Sequence, residues 1–89
     1  MAEGFAAVWF STPDRRSIYA HTAPDRVMEH QRMGARYAVH EMVVKTYADR
    51  LHIAALLERL DAGLMRPLTE EEYRLEVSNI ERLERFGAS

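Results

Sequence analysis

Eighty-nine residues, 47% of them apolar and 29% charged, make one small domain that is too apolar to be a disordered chain. The net charge of −2 argues against a generic polyanion binder, and the lack of cysteine excludes disulfides and thiolate metal sites. No window approaches the ~18 continuous apolar residues of a bilayer span. The opening MAEGFAAVWF lacks the basic start of a secretory signal, so the expectation is a cytoplasmic protein with no membrane attachment.

Residues 1–22 read as an N-terminal arm. FAAVWFS and SIYAHT are rich in strand formers and flank TPDRRS, where Pro13 and Asp14 suit a turn, so a short β-hairpin is predicted. The triplet Pro-Asp-Arg returns at Pro24, Asp25 and Arg26. Proline at a first helical position with an acid beside it predicts a helix start there. A helical segment over 24–62 follows, broken near 34 if Gly34 ends its first part.

Between Ala35 and Ala62 there is no Gly or Pro, which favours one long helix. On that template Val39, Met42, Val43 and Tyr47 join the face carrying Ile53 and Leu57. The alternative is a third strand over residues 36–47, because RYAVHEMVVKTY is half β-branched or aromatic; Asp49 would then cap a helix beginning only there.

Ile53, Leu56, Leu57, Leu60 and Leu64 line one face up to a stop at Gly63, and Pro67 prevents extension. Thr69 and Glu72 form a capping box, Leu68 and Tyr73 a hydrophobic staple, and Tyr73, Val77, Ile80, Leu83 and Phe86 one apolar stripe up to Gly87. A C-terminal helix over 69–86 is predicted. The short GLMRP connector folds it back on the central helix. The expected fold is mainly α: a short N-terminal β-hairpin, a long central helix and a C-terminal helix forming an antiparallel helical hairpin.

The chemistry-bearing residues are scattered. His21, His30, His40 and His52 lack the i,i+3 or i,i+4 spacing of helical metal ligands, no serine sits in a nucleophile motif, and the four glycines are isolated. No catalytic, cofactor or metal site is expected, and the protein reads as non-enzymatic. Charge is uneven: residues 15–36 carry five arginines against two acids, and residues 49–89 carry six against nine.

The broad apolar arc of Val39, Met42, Val43, Val44, Tyr47, Leu51, Ile53, Leu56 and Leu57 exceeds what one antiparallel neighbour covers, and Val39, Met42, Val43, Tyr47, Ile53 and Leu57 are the expected interface. The leading expectation is therefore a protein–protein interaction module, forming a homodimer or docking on an unidentified protein as adaptor or inhibitor. The alternative is a nucleic-acid-binding regulator that uses Arg15, Arg16, Arg26, Arg32 and Arg36, with Trp9, Tyr19 and Tyr37 as stacking candidates.

Residues 56–83, LLERLDAGLMRPLTEEEYRLEVSNIERL, resemble the short C-terminal helical-hairpin module called SHOCT, with Gly63, Leu68, Thr69, Glu72 and Tyr73 filling its pattern. The chain departs from it by the extra residues Met65 to Pro67 and by lacking the basic residues of the second helix. The resemblance implies an interaction hairpin.

Overall fold

The computed structural model describes residues 5–85. Strands β1 (Val8–Ser11), β2 (Ser17–Ala23), β3 (Arg26–Met33) and β4 (Arg36–Val43) form an antiparallel meander. Helix α1 (Tyr47–Asp61) leads to β5 (Arg66–Leu68), and helix α2 (Glu70–Ile80) leads to β6 (Glu84–Arg85). All six strands share one sheet in the order β5-β1-β2-β3-β4-β6, with β4–β6 the parallel pair. This overturns the mainly helical reading and its helical hairpin.

One turn is as expected and two others explain the difference. The first Pro-Asp-Arg closes the β1–β2 loop: the Arg15 N–H donates to the Thr12 carbonyl at 3.0 Å. The Asp14 carboxylate accepts from the Thr12 hydroxyl at 2.7 Å and from the Arg16 N–H at 3.0 Å. The second Pro-Asp-Arg starts no helix. Pro24 and Asp25 are the two loop residues between paired Ala23 and Arg26, because proline's fixed φ suits a turn as well as a first helical turn. Gly34 ends no helix either. With φ +64° it is the first of two loop residues between paired Met33 and Arg36, the position that requires a positive φ in a type II′ hairpin.

Residues 24–62 are therefore two strands and a helix. The segment weighed as a third strand over 36–47 holds the fourth strand and the first residue of α1. Helix α1 begins after Thr46, whose hydroxyl accepts from the Asp49 N–H at 3.2 Å while Asp49 accepts from the Thr46 N–H at 3.0 Å. It ends in a Schellman motif: Gly63, at φ +78°, donates to the Leu60 carbonyl, and Leu64 donates to that of Arg59. Thr69 and Glu72 form the second capping box. The predicted helix 69–86 ends at Ile80, and Phe86 and Gly87 lie outside the described residues.

Each sheet face has its own helix. Val8, Phe10, Tyr19, Val27 and Met42 point to one face and meet Ile53, Leu56, Leu57 and Leu60 of α1, with Met65. Ile18, Tyr37, Val39 and Leu68 point to the other and meet Tyr73, Val77 and Ile80 of α2, with Leu83. The alternation is the period-two pattern of strands buried on both sides. The expected helical hairpin fails because the sheet lies between the two helices, and part of its connector is strand β5. The SHOCT-like pattern thus spans two crossovers. Since β4, β5 and β6 run in one direction, α1 crosses from edge to edge on one face and α2 returns on the other, so both crossovers share a hand.

Candidate functional site

The six residues expected to form one apolar helix face are distributed by this topology. Val39 packs in the α2-side cluster, while Met42, Ile53 and Leu57 belong to the α1-side core. Val43 lies at the end of β4 beside Glu41, Lys45, Asp49 and His52. Tyr47 opens α1 and is 74% exposed. Val39 and Met42 point to opposite sheet faces, so the set makes no single surface.

Helix α1 supplies a different surface. Its inward side is Ile53, Leu56, Leu57 and Leu60. At 100° per residue the opposite side carries Tyr47, Ala48, Leu51, Ala54, Ala55, Glu58, Arg59 and, at the C-cap, Ala62. Six of these eight are apolar or aromatic, and Leu51 is 52% exposed. The helix is consequently apolar on both sides, whereas a helix covering one core normally shows a charged outer face. The expected arc already held Tyr47 and Leu51, but on a longer helix that also took in Val39, Met42 and Val43, which lie on strand β4. The correct start was signalled by Thr46 three residues ahead of Asp49.

Four of the five expected nucleic-acid contacts converge. Arg15 and Arg16 lie in the β1–β2 loop, and Arg32 and Arg36 flank the β3–β4 loop at the same end of the sheet. The Arg32 N–H donates to the Arg16 carbonyl at 2.6 Å, and Asp14, Arg16, Gln31, Arg32, Met33 and Gly34 line a depression of about 730 Å³. Arg26 sits at the opposite end, paired with Glu41 at 3.4 Å. The cluster is largely neutralised: Arg15 pairs with Glu76, Arg16 with Asp14 and Arg36 with Glu84, each at 3.8 Å. The stacking candidates are occupied. Tyr19 lies on Phe10 with centroids 5.0 Å apart, Trp9 faces Tyr73, and Tyr37 is buried.

Polar groups inside the fold do not assemble into a metal centre: among the described residues no group of three His, Cys, Asp or Glu side chains converges. His21 and His30 are buried, and among the described residues His21 Nε2 and His30 Nδ1 have no hydrogen-bond partner. On the α1 face, Tyr19, Glu29 and His40 stand opposite one another across β2, β3 and β4. Burial, followed by the charge of Glu29, raises the pKa of the Tyr19 phenol. No described helix is long and apolar enough to cross a membrane. Comparison with protein-family models, curated proteins and solved structures finds no match, so the reading of this chain rests on its own geometry.

Proposed function

We propose that this protein is a non-enzymatic interaction module that associates with a second copy of itself through the outer side of α1. The supporting observation is the exposed row Tyr47, Leu51, Ala54, Ala55 and Ala62 on a helix whose inner side is already buried. Exposed apolar area that no element of its own chain covers marks contact surfaces. The occupant argued for is a second copy, because the row is self-complementary. Arg50 and Glu58 lie four residues either side of Ala54. A two-fold antiparallel pairing of helices crossing at Ala54 sets each Arg50 against the partner's Glu58, and the alanines allow close approach.

Light scattering over a concentration series tests this reading. The wild-type mass is expected to rise from 10.3 kDa toward twice that value as concentration increases. Leu51→Glu is expected to hold the protein at the single-chain mass with unchanged far-UV circular dichroism, since Leu51 lies outside both core clusters. A wild-type mass that stays single at millimolar concentration would refute it. Leu57 is unsuited to the test, because it packs against the core and its loss would destabilise the fold as well. The nucleic-acid reading retains the convergence of four arginines but draws less support, given their three acidic partners and the buried aromatic rings.

A further inference from the structure

At the loop end of the sheet two arginines stand directly opposite one another. The register that pairs Ser17 with Gln31 brings Arg16 against Arg32, and the Arg32 N–H donates to the Arg16 carbonyl at 2.6 Å. Arg32 in turn lies opposite Tyr37 on β4, and Tyr37 opposite Arg85 on β6, so three arginines share one cross-strand row. Like charges directly opposite across strands destabilise a sheet. The neighbouring loop breaks a second local rule: Arg15 holds φ +62°, in the left-handed region that favours glycine.

The acids near this row leave it positive. Arg15 pairs with Glu76 and Arg36 with Glu84, each at 3.8 Å. One oxygen of Asp14 accepts from the Thr12 hydroxyl and the Arg16 N–H; the other lies 3.8 Å from Arg16 Nε, beyond hydrogen-bond length. Among the described residues Arg32 and Arg85 form no ion pair. Residues 12–16, 31–36 and 76–85, which meet at this end, hold six arginines and four acids, a surplus of +2 in a chain of net charge −2.

Arg16 and Arg32 are exposed, and with Asp14, Gln31, Met33 and Gly34 they line the depression of about 730 Å³ between the two loops. Two guanidinium groups against one carboxylate leave its lining positive. The β1–β2 and β3–β4 hairpins alone build it. The described chain enters at the far end of the sheet, where the Phe5 ring meets His21 edge-on at 5.0 Å, and β6 runs parallel to β4, away from the β3–β4 loop.

We propose that Arg16 and Arg32 form a binding site for the phosphate group of a monoester or of free phosphate. Each guanidinium offers a planar fork of N–H donors matched to two oxygens of a tetrahedral oxyanion. A phosphate monoester carries about −1.5 to −2 at neutral pH, so one group offsets both arginines and removes their repulsion. A carboxylate, with a single charge, answers one of them. A nucleic-acid strand fits less well: its phosphates carry one charge each, and Tyr37, the ring nearest this row, is buried and cannot stack on a base. Asp14 holds Arg16 in the β1–β2 loop, and Gln31 adds an amide donor to the lining. No residue of α1 takes part, so the site stands apart from association through Leu51.

The experiment is an NMR titration of the full chain, at matched ionic strength, with inorganic phosphate, a capped phosphoserine peptide, acetate and a dT oligonucleotide. Phosphate and the peptide are expected to shift the Nε–H signals of Arg16 and Arg32, and acetate to bind about tenfold more weakly or worse. Arg32→Gln is expected to weaken phosphate binding about tenfold or more, and Arg32→Lys to recover only part of the loss, since lysine keeps the charge without the fork. Arg32 is exposed and outside both core clusters, so the remaining spectrum should stay in place. Arg26→Gln removes the same charge at the opposite end and should leave phosphate binding unchanged. Tighter binding of the peptide supports the site with a phosphorylated protein as its source, and tighter binding of free phosphate supports it with a small anion. The proposal fails if neither shifts these signals at tens of millimolar, if acetate binds equally well, or if Arg26→Gln weakens phosphate as much as Arg32→Gln. Saturation by the oligonucleotide at concentrations where phosphate does not bind would overturn it in favour of a nucleic-acid surface.

Discussion

At the scale of one residue, His30 couples the fold to pH. It lies on β3 between Ile18 of β2 and Val39 of β4, and Tyr73 of α2 meets its ring edge-on at 6.2 Å. Burial, the main cause, holds its pKa below the ordinary 6.5; the charge of Glu81 opposes this and that of Arg85 adds to it. The unfolded chain therefore takes up a proton near pH 6.5, while the folded chain stays neutral until a lower pH. This stabilisation is complete above 6.5 and is lost as pH falls toward the folded value. Urea unfolding at pH 7.5 and 5.5 measures it. Wild type should lose more stability between the two than His30→Leu, which has no proton to gain at this site. Equal losses would assign the acid sensitivity elsewhere.

At the scale of elements, the β3–β4 loop shows how one backbone angle decides a topology. Gly34 has φ +64°, and a Cβ built there meets nothing within 4 Å. The cost of Gly34→Ala is thus conformational rather than steric crowding, about 1–2 kcal/mol, read as a shift of the urea midpoint without a change in slope. A neutral result would mean that the loop relaxes to a different turn.

The same loop marks where the sequence was legible. The Thr69–Glu72 box, the Gly63 stop and the Pro13–Asp14 turn are local, each settled by contacts a few residues apart. Strands β3 and β4 are not. Residues 39, 42, 43, 47, 53 and 57 fit a helical face by spacing, and only pairing with β3 separates Val39 from Met42 onto opposite faces. Of the candidate surfaces, the four converging arginines were visible as a local excess of charge.

At the scale of the whole molecule, one sheet joins two cores that never touch. Phe10, Tyr19, Val27, Ile53, Leu56 and Met65 form the α1-side cluster, and Ile18, Tyr37 and Ile80 form the α2-side one. Alternating side chains of the same strands supply both, so a strand cannot leave one cluster without leaving the other. This argues for a single cooperative unit despite the division. Trp9, the sole tryptophan, reports on the α2 side, where its ring centroid lies 6.5 Å from that of Tyr73. Ile53 is buried on the α1 side. Truncating it by Ile53→Ala costs about 2–5 kcal/mol by the usual range for core cavities, a large part of the ~5–15 kcal/mol that holds a domain folded. If the sheet transmits that loss, the Trp9 fluorescence transition moves to lower urea together with the far-UV circular dichroism transition, although the substitution lies on the face Trp9 does not see. If the fluorescence midpoint stays while the circular dichroism midpoint falls, the two faces unfold separately. In that case α1 detaches as a unit, and contact through Leu51 would act on a helix able to leave the sheet.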